Sequence, residues 1–250
     1  MNDTPPGQIV LHGVGSPNVI KCILMLEELG LDYRLNFVDV FRGGQFEGDF
    51  LAKNPLGKVP VLEDPQLDMP LAESGAILFW LAEREGNRFL PTTYPARAEV
   101  MQWLMIQMAN VGPMLGQYTH FNICPPDTAP YAKARYGAVA EKLYRLLDDR
   151  LSKHAWLAGG DYSIADIATQ PWAYYLERHG FDPEEYPALV AWRERIQARP
   201  AAQRVGPRME QAFNEPSVET RKSASDHDLD RFFHRTDKVP EADYSSVRAM

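Results

Sequence analysis

The stretch "QIVLHGVGSPNVIKCILMLEELG", residues 8–30, changes its hydrophobic period in the middle. Residues 8–13 form a short apolar run ending in glycine, as a buried strand does. From Ser16 onward the apolar residues fall at helical spacing, and Gly30 stops the run. Ser16 then occupies the N-cap, Pro17 the first helical position and Asn18 the first turn, places that suit serine and proline. Two readings of Ser16 stay open. It caps the helix, or its hydroxyl joins the free N–H groups of the first turn, at the positive end of the helix dipole, in receiving an anion.

Working outward, "DYRLNFVDV" (32–40) alternates as a strand does, "KVPVLED" (58–64) is another short strand, and "AESGAILFWLAEREG" (72–86) is an amphipathic helix closed by Gly86. The order β-α-β, then β and α, predicts a mixed sheet covered by helices. After "NRFLPTTYPAR" (87–97) strand signals stop, and helical patterns run from about residue 97 to 117 and from 131 to 153. The expected organisation is an α/β domain at 1–88, a linker at 88–96, an all-helical domain at 97–214 and a tail at 215–250. Ser163 and Asp166 have capping-box spacing at the start of a further helix. The tail mixes charges of both signs with few apolar residues. It reads as mobile or as a surface wrap, with "LDRFF" (229–233) its one docking anchor.

The 250 residues carry a formal charge of −8, with 45% hydrophobic and 24% charged side chains. That allows a substantial core and disfavours a nucleic-acid partner, which calls for a basic face. The first residues lack a signal-peptide pattern and no apolar run reaches membrane-spanning length, so the expectation is a cytoplasmic protein with no membrane partner. The two cysteines, Cys22 and Cys124, form neither a redox pair nor a zinc pattern, and no metal is expected.

Two further stretches fit a ligand near Ser16. A cis proline at Val59-Pro60 would turn the backbone groups of Val59 outward to pair with an extended peptide-like ligand. "ESG" (73–75) opens a helix, where Ser74 and nearby N–H groups suit a carboxylate and Glu73 an ammonium. Each has a plainer alternative: Pro60 is an ordinary proline at a strand start, and Ser74 only a cap.

In this order, followed by a helical domain, these segments resemble a glutathione transferase, with a thioredoxin-like N-terminal domain and an all-α C-terminal domain. "SPN" (16–18), "GGQF" (43–46), "QWLMIQMANVGPMLGQYTHF" (102–121), "PYAKARY" (130–136) and "YSIADIATQPW" (162–172) look like the bacterial nu class and the fungal prion-protein relatives, glutathione-dependent disulfide-bond reductases. The resemblance covers residues 8–205. It implies that Ser16 and Asn18 hold the glutathione sulfur, and that Gln45, Lys58, Val59, Pro60, Glu73 and Ser74 form the tripeptide site. Arg135 is implied as a contact from the helical domain. Asn110, Tyr118 and His120 fall on the second-substrate side, where "GQYTHF" stands for the family's "GQNHHF" and "IQMAN" (106–110) replaces another family segment.

Glutathione is a poor nucleophile while protonated. Lowering its thiol pKa by about two requires about 2.7 kcal/mol of preferential thiolate stabilisation, within reach of two or three donors at a helix N-terminus. No cysteine or tyrosine stands at the Ser16 position, which argues against a mixed disulfide with the protein. Cys22, inside the first helix, reads as inert packing. Cys124 lies in a loop with nothing basic beside it, and His12 and His120 read as structural or wall-lining residues. Three activities compete: a disulfide-bond oxidoreductase, a transferase or lyase acting on a carbon electrophile such as an aryl ether or halide, and a non-catalytic glutathione-binding regulator. The partners implied are a small-molecule thiol with a disulfide or electrophile, and a second copy of the chain. For the homodimer, Phe41, Phe46 and Phe50 are the expected exposed aromatics. Phe232 and Phe233 are expected to tether the tail over the second-substrate cleft or at the dimer surface.

Overall fold

The computed structural model describes residues 7–123, 129–235 and 244–249. The chain packs as two units, residues 1–77 with 204–250, and residues 78–203.

The first unit is built on a four-stranded mixed sheet of order β2-β1-β3-β4. β1 (Ile9–Gly13) is buried along its whole length and runs parallel to β2 (Tyr33–Phe37), with α1 (Pro17–Leu29) between them in the chain. β3 (Val61–Glu63) is antiparallel to β1, with His12 opposite Val61, and β4 (Leu71–Ala72) is antiparallel to β3. α1 buries Val19, Cys22, Ile23, Leu24, Met25, Leu26 and Leu29. It ends because Gly30 adopts the left-handed conformation (φ 69°). Its N–H then donates to Glu27 O and that of Leu31 to Leu26 O, a Schellman close that satisfies the last carbonyls. Two 3₁₀ turns, Val40–Arg42 and Gly44–Phe46, lead to α2 (Gly48–Leu51), and α3 (Ser74–Arg84) follows β4.

The second unit continues with α4 (Tyr94–Ile106), α5 (Gly112–Ile123), α6 (Pro130–Leu151), α7 (Ile164–Ala173) and α8 (Pro187–Gln197), with no strand among its described residues. The single helix expected over 97–117 is two, joined by a π turn at Gln107–Val111. Pro113 explains the break. It offers no N–H to the carbonyl four residues back, and its ring crowds that carbonyl. At the N-terminus of α7 the capping box forms as expected: Ser163 Oγ accepts from Ala165 N, and Asp166 Oδ2 accepts from Ser163 N at 3.1 Å.

The chain then returns to the sheet unit. α9 (Pro200–Met209) brings Arg204 and Arg208 to the buried Glu27, at 2.5 and 3.2 Å, while the Tyr33 hydroxyl donates to the same carboxylate at 2.7 Å. Phe213, fully buried, meets Phe37 at 6.5 Å. Residues 204–214 thus group with the sheet rather than with the helices that precede them. α10 (Glu215–Ser223), α11 (Asp226–Phe232) and α12 (Ser245–Ala249) follow. Although apolar residues are few there, they are well placed: Ala224, Leu229, Tyr244 and Val247 are buried. A second capping box joins Ser225 and Asp228, and Asp230 accepts from the Tyr244 hydroxyl at 2.6 Å and pairs with Arg235. Phe232 packs against a cluster of Val14, Val38, Val40, Phe50 and Val61. The expectation of three exposed phenylalanines is therefore corrected. Phe50 is core, Phe41 lies 5.0 Å from Phe232, and Phe46 meets Arg231 and His234.

Candidate active site at the first helix

Ser16 is the N-cap of α1, with extended backbone (φ −142°, ψ 153°), and its carbonyl accepts from Val19 N and Ile20 N at 3.0 and 2.9 Å. Its side chain makes no capping hydrogen bond, so the first of the two readings does not describe the hydroxyl. Pro17 contributes no N–H, and no acidic residue stands in the first turn to neutralise the positive end of the helix. Ser16 and Asn18 are both half-buried. The N-terminus therefore holds a hydroxyl and an amide side chain in a field that favours an anion.

The segments around it converge through one apolar cluster. Val14, two residues before Ser16, and Val40 belong to this cluster, and Val59, Ala72 beside Glu73, and Phe41 from the turn that leads to Gln45 pack against it. Val59-Pro60 is cis, and Val59 lies outside the β1–β3 ladder, whose pairing begins at Val61. Lys58 is exposed, while its carbonyl accepts from the side chain of the buried Asn54 at 2.7 Å. Asn54, which holds the turn before Val59, is a residue that sequence reasoning missed; its signal was the turn-like "KNPLGK" (53–58). Gln45 is 4% exposed, and its Oε1 finds no hydrogen-bond partner among the described residues, an orphaned acceptor that suits a ligand N–H. Ser74 is buried at the start of α3. Glu73, exposed before it, has φ 67°, a strained conformation for a residue with a Cβ, of the kind that clusters at ligand clamps.

Several buried titratable groups lie on the same elements. The Cys22 thiol donates to Asn18 O at 3.5 Å, and burial pushes its pKa up to about 12. Lys21, also fully buried in α1, is held down to about 8 by desolvation, opposed by the Cys22 and Glu73 charges. His12 Nδ1 accepts from the Asn36 amide at 3.0 Å, which leaves Nε2–H to donate to Glu63 at 2.5 Å. Burial lowers the His12 pKa, with Glu63 opposing, and both ring nitrogens are engaged in tying β1 to its neighbours. Cys124 lies outside the described residues. Among the described residues no group of three or more His, Cys, Asp or Glu side chains could hold a metal ion, and no helix is long and apolar enough to cross a membrane.

In the helical unit, Arg135 is exposed on α6, and Asn110 is exposed on the π turn. His120 is half-buried 4.9 Å from the Phe121 ring, and burial lowers its pKa. Tyr118 and Thr119 are drawn toward His179, a buried residue that sequence reasoning missed. The Tyr118 hydroxyl donates to the His179 carbonyl at 3.4 Å. Thr119 uses its one proton on Leu115 O, so it accepts from His179 Nε2–H at 2.8 Å, and the Tyr144 hydroxyl donates to Nδ1 at 2.8 Å. Desolvation, with Arg178 adding to it, holds His179 down to about 4. Its folded pKa is lower than its unfolded one, so below the unfolded value the unfolded chain binds the extra proton and stability falls. We expect acid scans of unfolding to lose up to about 3 kcal/mol between roughly pH 6.5 and 4 from this residue, and His179→Gln to flatten that window.

Residues 7–83 match the glutathione S-transferase N-terminal domain and residues 111–200 its C-terminal domain. The disulfide-bond oxidoreductase YfcG of Escherichia coli is 46% identical over 198 residues, 77% of this chain and 92% of that protein. The chain belongs to the glutathione S-transferase family. A glutathione transferase family member from Pseudomonas fluorescens, solved with two glutathione bound, superposes with a TM-score of 0.75 at 35% identity, covering 82% of this chain and 94% of that one. One from Pseudomonas putida, with one glutathione disulfide bound per subunit, gives 0.77 at 32% identity, over 82% and 93%. The thioredoxin-like sheet and the helical unit described above are this family's two domains.

Proposed function

We propose that the protein is a glutathione-dependent disulfide-bond oxidoreductase, in which Ser16 and Asn18 hold the glutathione sulfur as thiolate at the N-terminus of α1. The observation that carries this reading is the Ser16 hydroxyl, placed at a helix N-cap without capping it, in a first turn free of carboxylates. Gln45, Lys58, Val59, Pro60, Glu73 and Ser74 form the tripeptide site around the shared apolar cluster; the orphaned Gln45 Oε1 supports it. The relatives named above, an oxidoreductase and structures holding two glutathiones or their disulfide, support the substrate class.

The chemistry balances without a protein sulfur. The glutathione thiolate attacks one sulfur of a disulfide, forming a mixed glutathione disulfide as the other sulfur leaves as thiolate and takes a proton from water. A second glutathione thiolate attacks the mixed disulfide and yields oxidised glutathione and the second reduced thiol. Arg135, Asn110, Tyr118 and His120 retain the binding roles the family resemblance gives them as part of this proposal, as do assembly into a homodimer and a cytoplasmic location. The carbon-electrophile alternative rests on the altered segments at 118–121 and 106–110; Thr119 is engaged with Leu115 and His179, which removes one residue of the first segment from it, and the aryl halide assay below decides the rest.

The test is steady-state turnover with glutathione and bis(2-hydroxyethyl) disulfide, against turnover with an aryl halide. Turnover of the disulfide is expected; activity confined to the aryl halide would overturn the reading. Burial raises the Cys22 pKa well above the ordinary thiol range, so its thiol stays protonated at pH 7. Cys22→Ala is accordingly expected to keep the disulfide turnover, measured under the same conditions.

A further inference from the structure

The turn that presents Gln45 is held from outside the region that the family's domains match. Val40–Arg42 and Gly44–Phe46 have some support of their own: Asp39 caps Arg42 N at 3.2 Å, and Gly44 N donates to Asp39 O at 2.8 Å. The two phenylalanines that bracket Gln45, however, rest on C-terminal residues beyond position 200, where the matched domain ends. Phe41 meets Phe232 at 5.0 Å, and the Arg221 guanidinium lies 6.0 Å from its ring centroid. Phe46 lies under the Arg231 guanidinium at 5.3 Å and meets the His234 ring edge-on at 5.9 Å. Arg42 donates to the Ser223 hydroxyl. Gly43 (φ 85°) sits so close beneath Arg231 that a Cβ there would lie 2.8 Å from Nη1. The contact is therefore tight at the residue that begins the Gln45 turn. α11 itself is anchored by Leu229, which is fully buried, and by the Ser225–Asp228 capping box.

We propose that Arg231 and Phe232 of the C-terminal helix α11 are positioning residues that hold the Val40–Phe46 turn, and with it Gln45, in the conformation that binds glutathione. The proposal rests on the oxidoreductase reading of the site and adds a determinant of substrate affinity from the C-terminal extension. Without these contacts the turn keeps its Asp39 hydrogen bonds but loses the packing on both flanks of Gln45. Its buried amide must then be ordered when glutathione binds, at a cost in affinity.

The test is calorimetric titration of glutathione into the full chain, the parent beside Arg231→Ala, Phe232→Ala, Phe232→Leu, Gln45→Ala and Arg231→Ala/Gln45→Ala, with kcat measured at saturating glutathione. Arg231→Ala and Phe232→Ala are each expected to raise the Kd by about 5- to 20-fold, roughly the worth of one hydrogen bond, with kcat nearly unchanged. Phe232→Leu keeps most of the affinity. In the Gln45→Ala background Arg231→Ala has almost no further effect on Kd, because its action runs through Gln45. A merely structural role would lower stability and leave this coupling at zero. Unchanged Kd in both single variants, or an undiminished Arg231→Ala effect in the Gln45→Ala background, overturns the proposal while the function stands. A parent chain that does not bind glutathione overturns both.

Discussion

Asp166→Ala is expected to lower the unfolding free energy by about 4 to 6 kcal/mol. One carboxylate of the helical unit does four jobs. Its Oδ2 accepts from the Ser163 N–H and hydroxyl, both at 3.1 Å, and its Oδ1 accepts from Leu157 N and Trp192 Nε1, both at 2.9 Å. Asp166, Trp192 and Leu157 are all fully buried, so bulk solvent does not reach the donors that lose their acceptor. Three N–H donors, of Leu157, Ser163 and Trp192, lose their acceptor at about 1 to 3 kcal/mol each, while Ser163 can turn its hydroxyl and keeps its bond from Ala165 N; partial relaxation holds the sum in the lower half of that range. Burial pushes the Asp166 carboxyl up from its ordinary value, and the hydrogen bonds from Leu157, Trp192 and Ser163 oppose that shift. Asp166→Asn retains one acceptor oxygen but turns N–H groups toward donors, so a smaller loss is expected. Urea unfolding of the two variants checks the order, and a loss below about 1 kcal/mol for Asp166→Ala would contradict the bonding described here.

The second large effect is on turnover. Ser16→Ala is expected to cost less than the ~1 kcal/mol of a capping serine, because the hydroxyl makes no cap bond, and to reduce disulfide turnover by about 10- to 100-fold, the worth of a hydrogen bond to a charged group. Ser16→Thr keeps the donor and most of the activity. Ser16→Asp is a good cap, so stability is retained or improved, but a carboxylate accepts hydrogen bonds and repels a thiolate, and activity is lost. Asn18→Ala is expected to reduce turnover at least as much as Ser16→Ala with little change in melting temperature. Activity and stability moving together across this series would return Ser16 to the role of a cap.

The strand-to-helix switch at residues 8–30, the helical second half and the Ser163–Asp166 box were legible in the sequence because each rests on local periodicity or on spacing within one turn. Ser16 was legible as an N-cap by position, but whether its hydroxyl bonds its own helix depends on a side-chain orientation that residue types do not encode. The π turn at Gln107–Val111 was missed although Pro113 announced it, since an apolar pattern runs smoothly through a one-residue widening. Glu73 was noticed for its charge, while its strained backbone comes from tertiary surroundings. His179 and Asn54 act through partners 60 and 4 residues away respectively, the first invisible to any local pattern. Of the two readings of the tail, the surface wrap anchored at 229–233 is the one seen, because sparse apolar residues dock well when the surface beneath them is already apolar: Leu229 is buried and Phe232 finds Phe41 191 positions earlier.

The proposed mechanism requires that the Ser16 hydroxyl and the Asn18 amide stabilise a thiolate on bound glutathione. Ultraviolet thiolate absorbance, followed against pH at saturating glutathione in the parent, Ser16→Ala and Asn18→Ala, measures this directly. A bound-thiol pKa of about 6.5 is expected in the parent, against ~8.5 for an ordinary thiol, rising by about one or more in each variant. A bound-thiol pKa at the ordinary value in the parent, or the same depressed value in all three proteins, would contradict it.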